Sequence, residues 1–380
     1  MTNTFAPAPV SFNQKQVGLP KGSNIVVVGA GAFGGWTSLY LLRSGFEVTL
    51  IDAWGAGNSR STSGDETRVI RSTYGDNEFY FALNVRSLEL WKEHQQRWNK
   101  KLFFNTDVLW FCYQEKSPIV DDSIPFSKKY KAEYEFLALD EIIKRYPVIN
   151  CEDLHHGWLD PHGGYLKARE SCLIVNEAFR QEGGKFIQAE TIPGKISSDK
   201  MENISLSSGE KIKADAYLFA CGAWLPQLFP DVLGQKITST KQEVYYFGVP
   251  KAQSEIYDSL PVWVDLDGHD FYYGIPGNAN RGFKIGVDLR GEIFDPTHGE
   301  RTLNPETLAK ARKFIAHRFP GLKEAPLLEN RVCQYENSRD GNFIFDQHPQ
   351  AENVWFLGGG SGHGFKHGPA LGELVAHVFM

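Results

Sequence analysis

The residues best suited to chemistry lie near the two ends of this chain. Toward the C-terminus, Arg331-Val332-Cys333 precedes Phe343-Ile344-Phe345-Asp346-Gln347-His348-Pro349 and then Gly358-Gly359-Gly360-Ser361-Gly362-His363-Gly364-Phe365-Lys366. A glycine run that enters a helix offers backbone N–H groups and a helix N-terminus to an electron-rich ligand atom, and Lys366 adds a fixed cation. Toward the N-terminus, Gly29-Ala30-Gly31-Ala32-Phe33-Gly34 fits GxGxxG between an expected strand and helix, with Asp52 ending the next strand. In such a turn the first glycine allows the tight bend, the second lets the backbone approach a pyrophosphate, the third permits close helix–strand packing, and the acid bonds a ribose hydroxyl. The turn alone does not decide between FAD and a nicotinamide. Both glycine segments taken together point to a flavoenzyme.

These residues need a scaffold. From Asn24 the pattern reads strand (25–28), glycine turn, helix (about 33–44) and strand (48–52), a parallel βαβ opening. A polar segment, 55–75, leads to an amphipathic helix bearing Phe79, Leu83, Leu88 and Trp91 and ending near Asn99. Strand-like runs at 102–113, a helix at 171–182, a strand at 185–189 and a hairpin at 204–214 follow, and a buried strand at 215–220 enters Cys221-Gly222-Ala223-Trp224. The stretch 243–288, rich in β-branched and aromatic residues, predicts a largely antiparallel sheet, and a helix is expected at about 305–319. The fold class is therefore α/β (α+β), with domains discontinuous in sequence. The expected division is a flexible N-terminal arm (1–22), a Rossmann-like dinucleotide-binding domain (23–100, 166–235 and 331–380) and a substrate domain (101–165 and 236–330).

Composition excludes several classes. A formal net charge of -6 leaves no basic field for nucleic acid, so an anionic substrate needs a local cationic pocket. No apolar run is long enough to span a membrane and no signal pattern opens the chain, which makes the cytoplasm the expected location. Five scattered cysteines without a CxxC pair argue against a disulfide framework and a zinc knuckle. His363 and His367 are spaced i, i+4 but lack HExxH chemistry, so no metal is expected, and His155-His156 reads as a surface loop.

The constellation resembles the amine-oxidising flavoproteins of the D-amino-acid oxidase superfamily, above all the branch of monomeric sarcosine oxidase and the N-methyltryptophan, pipecolate and fructosyl-amino-acid oxidases. The resemblance runs over most of the chain: the first βαβ, Ser63-Gly64-Asp65-Glu66-Thr67-Arg68-Val69-Ile70-Arg71 with Tyr74-Gly75, Gly222-Ala223-Trp224, Tyr272-Tyr273-Gly274-Ile275-Pro276, Gly282-Phe283-Lys284-Ile285-Gly286 and the C-terminal segment. It implies FAD in the Rossmann-like domain, with Gly29, Ala30, Gly31, Phe33, Gly34, Asp52, Ala53, Ser63, Thr67, Arg68, Gly222, Trp224, Gly360, Gly362, His363, Gly364, Phe365 and Lys366 around it. It further implies a small amine or amino-acid substrate beneath the antiparallel sheet, oxygen as second substrate, and a monomer. Cys333 resembles the thiol that bonds the flavin 8α carbon, its alternative being a small buried apolar residue. Lys284 resembles the lysine near N5 that promotes reaction with oxygen, its alternative being a solvated strand lysine. Arg71 and Lys366 resemble the pair that holds a substrate carboxylate. Arg68 and His363 match residues near the flavin ring, and Tyr273 either lines the substrate cavity or belongs to the core.

The implied activity is oxidation of a secondary amine or N-substituted amino acid by hydride transfer to flavin N5, with oxygen regenerating the cofactor to give imine and hydrogen peroxide. Two alternatives stand beside it: a flavin dehydrogenase that passes electrons to a carrier, and a nicotinamide-binding or noncatalytic ligand-binding protein on the same turn. Two departures from the sarcosine oxidase pattern point away from sarcosine itself. Ser63 and an additional acid occupy the run before Thr67, and Asp288 replaces a cavity histidine.

Overall fold

A computed structural model describes residues 16–265, 271–277 and 279–380. The strand Asn24–Val28 forms its centre. Its apolar side chains are at most 5% exposed, as required of a strand covered on both faces, which explains a continuous rather than alternating apolar run. Five parallel strands are ordered Ala351–Gly358, Ala216–Phe219, Asn24–Val28, Glu47–Asp52 and Lys185–Gln188, with Ile344–His348 added antiparallel at one edge. The chain winds outward on one side of Asn24–Val28 and then crosses to the other. That reversal opens a crevice where the Gly29 and Gly222 turns leave adjacent strands, the position at which open α/β sheets bind ligands.

One face is covered by the helices Ala32–Arg43, Ala168–Gln181 and Gly368–Phe379. The first and last of these approach so closely that a Cβ at Gly368 or Gly372 would collide with Trp36. Gly29 has φ +106°, and a Cβ there would strike the Ala220 carbonyl of the neighbouring strand, so both backbone conformation and space call for glycine.

A second sheet of eight strands runs Leu327–Ser338, Ile237–Phe247, Phe283–Val287, Tyr272–Ile275, Val262–Asp265, Val108–Cys112, His156–Asp160 and Glu135–Leu137. It is antiparallel except where Val262–Asp265 meets Val108–Cys112, in agreement with the largely antiparallel sheet expected from the sequence. The helix Pro305–Arg318 covers one face, placing Phe314 and then Phe319 against Trp263. A three-stranded sheet of Thr67–Ile70, Gly164–Lys167 and Phe103–Asn105 joins the two large sheets. Among the described residues, no helix is long and apolar enough to cross a membrane.

Three expectations need correction. Residues 1–15 of the arm lie outside the described residues, but the rest of it is docked: Val17 and Leu19 donate backbone hydrogen bonds to Val378 and Phe379 and pack against the helix core. The boundary expected at residue 331 falls inside the strand Leu327–Ser338, which pairs along its length with Ile237–Phe247. His155-His156 is not a surface loop: His156 is buried and opens the strand His156–Asp160.

Gly34 faces the Gly29 carbonyl closely enough that an added Cβ would run into it. Gly34→Ala is therefore expected to force the helix off the turn at a cost of about 1–3 kcal/mol. Thermal melting should show a clear drop in Tm together with reduced flavin content in the purified protein.

Candidate active site

The crevice is a cleft of about 260 Å³. Gly29, Gly31, Phe33, Asp52 and Ala53 line it from the first βαβ, Ser63 and Arg68 from the following segment, Gly222 and Trp224 from the second turn, and Gly360, Gly362, Gly364 and Phe365 from the C-terminal loop. Asp52 shapes the turn before any ligand arrives. One oxygen accepts the Ala30 N–H at 2.8 Å, and the other accepts the N–H groups of Trp54 at 2.9 Å and Gly55 at 2.8 Å. Burial raises the Asp52 pKa, and these three donors oppose the shift. The Ser63 hydroxyl accepts the Ala32 N–H at 3.1 Å, locking the entry to the first helix. Ala30 and Gly34 support this turn from outside the cleft walls.

Three features fit a dinucleotide here. The Ala32–Arg43 helix starts at Gly31, which has no side chain to cap it, and has no acid in its first turn, so beyond the single N–H taken by Ser63 its positive end faces the cleft. Glycines keep the walls open on both sides. Finally, the buried Glu336 Oε2 beside the cleft has no hydrogen-bond partner.

A smaller cavity of about 70 Å³ adjoins the cleft and shares Arg68, Tyr335, Gly362 and Phe365 with it. Arg71, Tyr273, Asp288, Cys333, His363 and Lys366 also line it. The sequence had scattered these residues over almost three hundred positions. Arg71 donates to the Thr73 carbonyl and lies over the rings of Tyr74 at 4.9 Å and Trp110 at 5.0 Å. The Lys366 ammonium donates to the His363 carbonyl at 3.0 Å and lies 5.1 Å from the Tyr74 ring centre. Among the described residues, neither cation forms an ion pair with a carboxylate. Burial pushes the Lys366 pKa far down and Arg71 adds to that, while Asp288 opposes it. An anion entering between Arg71 and Lys366 would relieve both.

Asp288 is one of three acids that line this cavity, with Asp65 and Glu243. It accepts the Tyr335 hydroxyl at 2.8 Å, and burial raises its pKa against the pull of Tyr335, Arg71 and Lys366. His363 and His367 both face the Tyr74 hydroxyl, at 3.1 and 2.7 Å. Burial brings His363 down to about 3, so it is neutral near pH 7.

Lys284 lines neither cavity. It is 1% exposed, which excludes a solvated strand lysine, and its ammonium reaches Asp65 at 2.5 Å and Thr67 through the carbonyl at 2.9 Å and the hydroxyl at 3.3 Å. Thr67 therefore serves the lysine rather than the cleft wall. Arg68 bonds the same carboxylate at 2.7 Å and the Thr62 carbonyl at 2.6 Å, and Tyr246 donates to its other oxygen at 3.0 Å. Burial acts against the Asp65 charge, but Lys284 and Arg68 outweigh it and hold the carboxyl well below the usual range. Cys333 lies 3.9 Å from the Arg68 guanidinium, with its thiol pKa raised by burial and lowered in part by Arg68. Sequence reasoning quoted Asp65 within its motif without giving it a partner, and it missed Tyr335, Tyr246, Trp110 and Glu336. No local signal marks these residues, because each acts through a contact made across the two sheets.

The FAD dependent oxidoreductase family model matches residues 24–378. The chain belongs to this family. It is an FAD-dependent oxidoreductase, and the helix start at Gly31, the glycine walls and Asp52 fit that cofactor. It is 28% identical over 360 residues to monomeric sarcosine oxidase of Bacillus sp. (strain B-0618), covering 94% of this chain and 92% of that one. N-methyl-L-tryptophan oxidase of Salmonella enteritidis PT4 (strain P125109) is 25% identical over 356 residues, with 93% of each chain covered. Among solved structures, L-proline dehydrogenase from P. horikoshii superposes with a TM-score of 0.80 at 22% identity, over 94% of this chain and 93% of that one. The discontinuous architecture is thus that of known flavoenzymes.

Removing the Asp65 charge would strand Lys284 and Arg68. Asp65→Ala is expected to destabilise the protein by about 3–5 kcal/mol, as read by urea unfolding at pH 7. Because the folded pKa of Asp65 is depressed, its contribution is present above the unfolded carboxyl pKa and is lost as pH falls toward the folded value. The difference between wild type and variant should therefore shrink on acidification below about pH 4.

Proposed function

We propose that the protein is a monomeric cytoplasmic oxidase of a secondary amine or N-substituted amino acid, which uses oxygen and yields an imine and hydrogen peroxide. The observation that carries this reading is the pair Arg71 and Lys366, two cations without carboxylate partners among the described residues, in a small cavity opening on the FAD cleft. A planar guanidinium and a point cation converging there suit a carboxylate that must leave water. Relatives named for sarcosine and N-methyl-L-tryptophan, both carboxylated secondary amines, agree with it.

FAD supplies the two-electron acceptor that a protein side chain lacks. The chain supplies placement. Arg71 and Lys366 anchor the substrate carboxylate, so the CH–NH bond is presented at the boundary shared by the two cavities, where Arg68 and Tyr335 stand. Asp288, on the wall with Tyr273, faces the rest of the substrate and favours one carrying a positive or hydrogen-bond-donating group, with Tyr335 fixing its orientation. Only a neutral amine can give up hydride, so an incoming ammonium must lose its proton before the transfer. Oxidation removes two electrons and two protons from the CH–NH unit, and oxygen takes up the same number to become peroxide.

Lys284 and Arg68 place two buried or nearly buried cations on the Asp65 carboxylate, at the edge of the small cavity that Asp65 and Arg68 line. Such a cluster stabilises the negative charge that develops on oxygen. One observation favours a second reading, a dehydrogenase that hands electrons to a carrier: the Lys284 ammonium is already engaged by Asp65. Cys333, at the cavity edge beside Arg68, would tether the flavin.

Four outcomes test this reading. The variant Arg71→Ala should lose about 10–100-fold in kcat/KM for a carboxylated secondary amine and much less for its decarboxylated analogue; equal losses would remove the carboxylate role. Stopped-flow reoxidation of Lys284→Met should be slower by about 100-fold in oxygen, a much larger loss than in amine-driven reduction. If reoxidation is unchanged and a dye accepts electrons instead, the dehydrogenase reading stands. Acid precipitation should leave the yellow colour in the pellet for wild type and release it from Cys333→Ala.

A further inference from the structure

We infer that Glu336 is a cofactor-holding residue, its free carboxyl oxygen bonding a hydroxyl on the polyol chain of FAD. Glu336 sits near the end of the strand Leu327–Ser338, opposite Ser239 of the paired strand, and is 7% exposed. One oxygen, Oε1, accepts the Gly360 N–H at 3.2 Å; the other, Oε2, is buried and makes no hydrogen bond. An unbonded buried carboxyl oxygen is unfavourable until a partner arrives. Three glycines leave room for one. A Cβ on Gly222 would stand 3.7 Å from Oε2, one on Gly358 3.3 Å from it, and one on Gly360 3.0 Å from Oε1, so larger residues there would crowd the carboxyl.

The chemistry of the partner follows from position. Glu336 forms part of the cleft wall, with Gly222 on one side and the C-terminal glycine loop on the other. The pyrophosphate belongs at the glycine start of the Ala32–Arg43 helix, and the ring belongs toward Cys333 and the smaller cavity. Between them runs the polyol chain, whose hydroxyls can both donate and accept. A phosphate is the poorer partner, since among the described residues no basic side chain pairs with Glu336 to offset repulsion. Burial moves the carboxyl up to about 7, against the N–H groups of Gly360 and Gly359. A hydroxyl accommodates either protonation state, accepting from the acid or donating to the carboxylate.

The test measures FAD binding rather than turnover, so failure of the amine oxidase reading would leave it untouched. In a Cys333→Ala background, which permits reversible loading, apoprotein is titrated with FAD and with FAD analogues lacking the 2′, 3′ or 4′ ribityl hydroxyl, following flavin fluorescence. Glu336→Ala should weaken FAD about tenfold or more, and one deoxy analogue should bind the parent and Glu336→Ala equally, because the bond is already missing. Glu336→Gln, which retains a hydrogen-bonding oxygen and nitrogen, should keep the parent's discrimination among the analogues. Equal weakening of FAD and all three analogues by Glu336→Ala would show a purely structural role and overturn the inference, as would unaltered FAD affinity. Should Glu336→Ala fail to fold, a parent protein that binds all three deoxy analogues as tightly as FAD would overturn it equally.

Discussion

The ion cluster around Asp65 holds this site together. Asp65 belongs to the segment that leads from the cofactor sheet into the strand Thr67–Ile70, whereas Lys284, Tyr246 and Arg331 project from strands of the eight-stranded sheet. One buried carboxylate thus fastens the segment that leaves the dinucleotide-binding sheet to the eight-stranded sheet. The desolvation of three charged groups is tolerable only because each oxygen of Asp65 has directed partners, and a loose arrangement would be worse than an apolar contact. The same clamp fixes the register of Arg68 and, three residues further along, the entry of Arg71 into the small cavity.

With Arg71 and Lys366 placed, the electrostatics of the cavity follow. The protein as a whole is acidic, so attraction for any anion must be built locally. It is built from two cations resting on aromatic faces, Tyr74 beneath both and Trp110 beneath one. Aromatic faces hold a cation in place without neutralising it, which an aspartate in the same position would do. The Tyr74 hydroxyl is in turn engaged by His363 and His367, whose neutrality keeps further positive charge out of the cavity.

What the sequence made legible was local. The GxGxxG turn, the βαβ opening and the antiparallel stretch were readable because a period of two or 3.6 residues and the backbone demands of glycine are written within a few positions. The family motifs added Arg71, Cys333 and Lys366, and the fold brings all three to one cavity. What could not be read locally were pairings across long sequence separations. Asp65 meets Lys284 across 219 positions, and Tyr335 meets Asp288 across 47. The docking of Val17 and Leu19 was missed for a related reason: a short aperiodic segment is ordered by two backbone bonds to the last helix, which composition does not reveal.

Asp288 and Glu336 show why buried acids deserve separate treatment in such a site. Both are raised by burial, yet their surroundings differ: Asp288 has Tyr335 and two nearby cations, while Glu336 has backbone donors and an unbonded oxygen. The first sits between a hydroxyl and two cations that favour its charge, while burial opposes it. The second stands in the wall of the cofactor cleft, where a backbone N–H holds one oxygen and the other is left without a partner among the described residues. Two carboxyls of similar composition are thus assigned to opposite ends of the site by the partners that the fold gives them, and the chemistry at each end follows from those partners.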